Sequence, residues 1–124
     1  MPIFVVHEHH ATHLHWDLRL EIGGILKSWA VPKQPPRTKD IKRLAIQVED
    51  HPRSYADFEG EINDGYGKGT VKIWDNGKFH LLDKKENKIV FELHGLKLKG
   101  KYVLVKINYG DKPEKSWLFM KIND

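Results

Sequence analysis

Five of the eight histidines in this 124-residue chain fall in one stretch, His7-Glu8-His9-His10-Ala11-Thr12-His13-Leu14-His15, which runs directly into Trp16-Asp17-Leu18-Arg19-Leu20-Glu21. Neutral imidazole is a common ligand of borderline divalent cations, and a carboxylate two residues beyond a histidine offers a hard oxygen to the same ion. Metal binding is the chemistry this clustering points to. From Leu14 onward the alternation predicts a strand with Leu14, Trp16, Leu18 and Leu20 on one face and His13, His15, Asp17, Arg19 and Glu21 on the other. The apolar face belongs in a core, so the polar row looks into a groove or pocket. Along such a strand His15 and Asp17 stand about 6.6–6.8 Å apart, within joint reach of one ion.

A third ligand must come from elsewhere. Ile3–Val6 reads as a short strand, and Glu8–Thr12, which lacks periodicity, reads as a loop able to fold back. His9 is the chosen third ligand, with His7 and His13 as substitutes that spacing does not separate. The competing reading is a histidine-rich loop that is merely solvated. Arg19 weighs against it, because a planar guanidinium grips anionic oxygens while a neighbouring cation polarises another oxygen of the same phosphate. The plainer role for Arg19 is a surface ion pair with Glu21.

The elements that must position these groups follow from turn signals. Gly23-Gly24 reads as a two-residue hairpin turn leading into a strand, Ile25–Val31, and Pro32 to Lys39 as a loop. Leu44–Val48 is the next strand, stopped by Glu49-Asp50-His51-Pro52. Ser54–Phe58 reads as a short helical turn, and Gly60–Gly69 as irregular. Further strands are expected at Thr70–Trp74, Lys78–Leu82, Lys88–His94, Lys101–Asn108 and Ser116–Ile122, with Asp75-Asn76-Gly77 as a hairpin turn between the first two. No long segment has helical periodicity. The expected fold is all-β and mainly antiparallel, a single domain over residues 1–124: a small closed or nearly closed barrel of about eight strands with short helical turns, its chemistry outside the barrel.

Composition narrows the function classes. The absence of cysteine excludes disulfides, thiolate metal sites and cysteine nucleophiles. There is no leader-like segment and no stretch of about eighteen apolar residues, so a soluble cytosolic protein is expected. The net charge of +4, from 21 Lys and Arg against 17 Asp and Glu, is compatible with an anionic partner without requiring one.

Outside the histidine run, His51 stands at a strand end, where functional groups are often displayed. Tyr55 is four residues on and shares its face if that piece is helical. Lys33 and Arg43 flank the proline-rich loop and, taken singly, read as solvated cations. His80 and His94 read as structural or surface residues, since neither has an acid or second histidine at ligand spacing. Trp29, Trp74 and Trp117 read as packing residues.

Taken together, His9-x5-His15-Trp16-Asp17-Leu18-Arg19-Leu20-Glu21, Val48-Glu49-Asp50-His51-Pro52-x2-Tyr55-Ala56-Asp57-Phe58-Glu59-Gly60, Gly67-x-Gly69-Thr70-Val71-x-Ile73-Trp74-Asp75 and Leu98-Lys99-Gly100 resemble the 3′-phosphoesterase domain of bacterial DNA ligase D, in order and over nearly the whole chain. The resemblance implies a free-standing small barrel with a surface groove and a manganese ion, other divalent transition metals being alternatives. It implies removal of a 3′-terminal ribonucleotide and then a 3′-phosphate, leaving a 3′-hydroxyl on a DNA or RNA/DNA primer. A ligase and a polymerase acting in trans would be its partners, and the chain is expected to be monomeric.

Carried over by position, the resemblance places metal ligands on His9, His15 and Asp17, and phosphate-contacting and catalytic groups on Arg19, His51 and Tyr55. Lys33 and Arg43 correspond to residues of the monoester step. Departures from the family pattern are His7 in place of a glutamine, His10 in place of an aspartate, and Thr12-His13 in place of a basic pair. The family's N-terminal extension is expected to be missing, which makes the monoester step the less secure of the two. Two other readings use the same residues: a non-haem iron oxygenase with a two-histidine, one-carboxylate triad, and a non-catalytic module that grips nucleic-acid ends through basic groups.

Overall fold

Alternating apolar residues punctuated by short turns produce a chain of antiparallel hairpins. In a computed structural model, which describes residues 2–63 and 68–123, the strands are β1 (Ile3–His10), β2 (Leu14–Ile22), β3 (Ile25–Val31), β4 (Lys42–Pro52), β5 (Gly60–Ile62), β6 (Gly69–Lys85), β7 (Lys88–His94), β8 (Lys99–Lys106) and β9 (Ser116–Lys121). Two 3₁₀ turns, Arg53–Asp57 and Pro113–Lys115, interrupt them. Neighbours run β1-β2-β3-β4-β9-β8-β7-β6, and β6 pairs back onto β1 to close a ring of eight antiparallel strands. β5 adds to the outer part of β6. The expected eight-stranded all-β barrel is what forms.

Closure sorts the side chains. Phe4, Val6, Leu18, Leu20, Trp29, Val31, Phe79, Phe91, Leu93, Tyr102, Leu104 and Phe119 fill the interior, each fully buried large apolar group contributing about 1.5–3 kcal/mol. The residues between them face outward. A second, smaller cluster of Val5, Leu26 and Ala56, joined by Ile3, Tyr55 and Ile73, packs the Arg53–Asp57 turn against the outside of β1 and β3.

Gly23 and Gly24, at φ of 67° and 82°, make the two-residue turn, which needs positive φ at both positions. It sets Ile22 opposite Ile25, and hence Arg19 opposite Ser28 and Asp17 opposite Ala30.

Several expectations are corrected. Glu8–Thr12 is not a loop: β1 continues to His10, because it is paired on both edges, with β2 and with β6. Leu14, expected in the core, is 43% exposed at the strand end. β4 runs longer at both ends than Leu44–Val48, and β8 begins and ends two residues earlier than Lys101–Asn108. The largest correction concerns Asp75-Asn76-Gly77, which turns no hairpin, since β6 runs straight through it. Asp75 instead spends its carboxylate on the backbone N–H groups of Leu96, Lys97 and Leu98 at 2.9, 3.1 and 2.8 Å. Gly77 is small because a Cβ there would collide with the carbonyl of His94. Of Gly60–Gly69, expected to be irregular, residues 60–62 form β5, while residues 64–67, including Gly67 of the sequence pattern, lie outside the described residues.

Candidate functional site

The outward faces of β1, β2 and β3, with the end of β4 and the turn after it, enclose a pocket of about 330 Å³ lined by His9, His15, Asp17, Arg19, His51 and Tyr55, among others. A cavity of about 370 Å³ further along β4, against Tyr109 and Lys112, holds none of these groups. Register explains the convergence. His9 lies directly opposite His15, and Asp17 opposite His7, so β1 and β2 bring two imidazoles and a carboxylate to one end of the pocket. Ala30 and Ser28, on β3, are too small to fill the space beside them. His9, Asp17 and Arg19 keep only 6%, 5% and 4% of their surface exposed.

One ligand atom from each of His9, His15 and Asp17 lies within 4.8 Å of the others. Asp17 Oδ1 stands 3.3 Å from His15 Nε2 and Oδ2 stands 3.5 Å from His9 Nδ1. His15 Nδ1 faces the His13 carbonyl at 3.0 Å. That carbonyl can only accept, so Nδ1 carries the proton and the Nε2 lone pair is turned on the carboxylate. Two such acceptors face each other stably only with a cation between them, either a proton on His15 or a metal ion. Atoms bound at about 2 Å to one ion are separated by roughly 3–3.5 Å, so the donor set fits a divalent metal. His13 thus contributes its carbonyl rather than its imidazole, and that carbonyl fixes the orientation and tautomer of the His15 ring.

Arg19 links this corner to the rest of the pocket. Its Nε donates to His7 Nδ1 at 3.0 Å, Nη1 donates to Ser28 Oγ at 2.9 Å and contacts His51 Nδ1 at 3.1 Å, and Nη2 donates to Asp17 Oδ2 at 3.3 Å. Among the described residues this engages four of the five N–H donors and leaves one on Nη2. The Tyr55 ring lies 5.0 Å from the guanidinium carbon, between the His51 ring, tilted by 32° at 4.5 Å, and the Phe58 ring, stacked at 5.0 Å. The expected proximity of His51 and Tyr55 is therefore found, although His51 belongs to β4 and only Tyr55 to the turn. His51 Nδ1 also lies 3.2 Å from the Glu49 carbonyl. Because a guanidinium can only donate and is charged, the Arg19 contact governs the tautomer and leaves Nε2 as the N–H end of the ring.

The electrostatics follow this wiring. Burial alone would raise the Asp17 pKa, but His15, His9 and Arg19 outweigh it and hold the carboxyl well below its ordinary range. The hydrogen bond to Asp17 raises the His15 pKa against the opposing effect of burial. Burial, reinforced by Arg19, pushes His7 down to about 4 and lowers His51. Burial raises the Tyr55 hydroxyl. His7 is thus a neutral acceptor for Arg19. Among the described residues its buried Nε2 has no hydrogen-bond partner of ordinary geometry.

Of the residues singled out from sequence, His9, His15, Asp17, Arg19, His51 and Tyr55 come together. Lys33 and Arg43 do not line the pocket. Lys33 is exposed in the loop after β3, and Arg43, at the start of β4, donates from Nε to the Gln34 carbonyl at 2.7 Å. His10 pairs with Glu8 at 2.7 Å, away from the pocket. Sequence reasoning missed Ser28 and the role of His7. The signal for Ser28 was available, since the two-residue turn sets it opposite Arg19. The reading of His80 and His94 as lacking an acid at ligand spacing also fails: Glu92 stands two residues before His94 on β7, and the β6–β7 register sets it opposite His80.

Residues 7–106 match the model of the DNA ligase D 3′-phosphoesterase domain. The multifunctional non-homologous end joining protein LigD of Pseudomonas aeruginosa is 46% identical over 127 residues. The corresponding DNA repair protein LigD of Mycobacterium tuberculosis is 45% identical over 127 residues, and LigD of Mycolicibacterium smegmatis is 42% identical over 133 residues. Each match covers 98% of this chain but only 15%, 16% and 17% of the respective relative. With the matched segment running through the whole pocket, the chain belongs to the DNA ligase D 3′-phosphoesterase domain family.

Proposed function

We propose that the chain is a metal-dependent phosphoesterase that heals DNA 3′ ends, hydrolysing the phosphodiester of a 3′-terminal ribonucleotide and then the remaining 3′-phosphate to leave a 3′-hydroxyl. One observation carries this reading: Asp17 faces His15 with one oxygen and both His9 and Arg19 with the other. A single buried anion thus organises a cation site and an anion-binding guanidinium side by side, the pairing a phosphoester requires. His9, His15 and Asp17 would hold the ion, for which we infer manganese or a similar divalent transition metal. When bound, it supplies Lewis-acid polarisation of a phosphate oxygen.

The protein's own groups supply the rest. The free Nη2 N–H of Arg19 binds a non-bridging oxygen without reorganising, because the other four donors are already held. His51 presents its Nε2–H as a second donor, and Tyr55, packed against both, helps hold them in place. Lys33 and Arg43, outside the pocket, are assigned to the monoester step, where the phosphate carries more charge. In the hydrolysis a water oxygen bonds to phosphorus, the P–O bond to the leaving group breaks, and the leaving oxygen takes a proton. The resulting 3′-hydroxyl is the end that a polymerase or ligase acting in trans would use, and we place this monomeric activity in the cytoplasm.

The test is a duplex primer ending in one ribonucleotide, incubated with and without manganese, with 3′-phosphate and 3′-hydroxyl products resolved. Manganese-dependent conversion is expected, with His15→Ala and Asp17→Ala nearly inactive. Turnover that survives a chelator, or near-normal rates in either variant, would overturn the assignment. Turnover of a 2-oxoacid with ferrous iron would favour an oxygenase, and salt-sensitive binding without turnover would favour a simple end-binding module.

A further inference from the structure

The β6–β7 ladder sets His80 directly opposite Glu92, and His94 follows two residues along β7. Phe79, Phe91 and Leu93 at the intervening positions belong to the barrel interior, so His80, Glu92 and His94 share the outer face. His94 Nε2 lies 3.0 Å from Glu92 Oε1, and the His80 and His94 rings meet edge to face with centroids 5.1 Å apart. One ligand atom from each of the three lies within 4.8 Å of the other two. None of them belongs to the β1–β2 cluster.

We propose that His80, Glu92 and His94 form a second binding site, for a divalent transition cation of the zinc, copper or nickel class. Two imidazoles and one carboxylate are the donors such ions select. Their exposure means that little hydration is lost on binding and that further coordination positions stay open to water. Lys78, Lys99 and Lys101 are cross-strand neighbours of His94 and Glu92. Their charge opposes the cation, which makes this the weaker of the two clusters and a reversible one.

Its position gives the site a consequence. β1 pairs with β6 only as far as Lys78, and the β6–β7 register slips between Leu81 and Asp83. Beyond Phe79, whose N–H still donates to the Pro2 carbonyl at 3.1 Å, β6 is an edge segment, the kind of element that opens locally at low cost. A cation joining His80 to Glu92 and His94 ties the base of that segment to β7.

The test titrates zinc chloride into the chelator-stripped full chain against a chromophoric competitor, in a His15→Gln/Asp17→Asn background that disables the first cluster. One zinc is expected to bind. Adding His80→Gln/His94→Gln should weaken binding by more than the ~10–100-fold that loss of a supporting partner costs. Zinc should also slow hydrogen exchange over residues 79–85 only when both histidines are present. If the background variant does not fold, His80→Gln/His94→Gln in the otherwise unaltered chain should lower the zinc stoichiometry by one and leave phosphoesterase turnover unchanged. Equal affinity and equal exchange with and without the two histidines, or an unchanged stoichiometry, would overturn the site.

Discussion

Replacing Arg19 by lysine keeps the charge and removes the fork, and so separates two explanations of the pocket. The guanidinium makes four contacts between 2.9 and 3.3 Å, to His7, Ser28, His51 and Asp17. A lysine carries three donors on one nitrogen and can serve Asp17 and one neighbour. At least two contacts are then lost, and hydrogen bonds to charged groups are worth about 1.5–3 kcal/mol each, so the folded state should lose roughly 3 kcal/mol or more. The chemical step should fall about 10²–10³-fold, the usual consequence of losing one preorganised donor to a developing oxyanion.

Denaturant unfolding gives the first quantity, and single-turnover cleavage of a 3′-ribonucleotide primer, at a temperature where both proteins are folded, gives the second. Because His51 takes its tautomer from Arg19, Arg19→Lys/His51→Ala should lose less than the product of the two single losses. If Arg19→Lys keeps turnover within about threefold of the parent, charge alone suffices and directed donation is the wrong explanation.

Asp75→Ala strips the acceptor from three backbone N–H groups and should cost about 2–4 kcal/mol in urea unfolding while leaving turnover per folded molecule unchanged. Leu26→Ala, beneath the 3₁₀ turn, should cost about 2–5 kcal/mol and, unlike Asp75→Ala, also slow turnover, because the turn carries Tyr55. In the chelated protein His7 titrates near 4 rather than 6.5. The folded state therefore binds fewer protons than the unfolded one between those values, and stability that is full above about pH 6.5 declines toward pH 4 by at most about 1.4 kcal/mol per pH unit from this group. Thermal melts of His7→Gln should show a flatter acid limb.

The barrel was legible where one physical signal acted alone. β3 and β7 fall on the expected residues, Ile25–Val31 and Lys88–His94, because period-two alternation between clear turns has one solution. It failed where a residue type served another purpose. His7 and His9 make the end of β1 look like a loop, yet they stand on a doubly paired strand, since its outward face is a site rather than a surface. Asp75 and Gly77 have turn chemistry, but one caps a neighbouring loop and the other makes room for the His94 carbonyl. Of the site, His15, Asp17 and Arg19 could be read within β2. Ser28, the Arg19–His7 contact and the His80–Glu92 pair required registers between strands, which spacing within one strand does not contain.

The remaining question is how groups on the outside of a barrel become as buried as Asp17 and Arg19. The answer lies in the small cluster of Val5, Leu26 and Ala56. Apolar residues at outward positions of β1 and β3 would be a liability in water, but here they seat the Arg53–Asp57 turn, which brings Tyr55 over the guanidinium while Ile62 of β5 lines the same pocket. Excluding water lowers the local dielectric, which strengthens the contacts of Asp17 with Arg19 and the histidines and makes any unpaired member costly. The same few apolar side chains therefore set both the stability of the turn and the electrostatic strength of the site. A barrel with these polar residues but without that outer cluster would display them in bulk water, where an ion pair of this kind is worth at most about 1 kcal/mol.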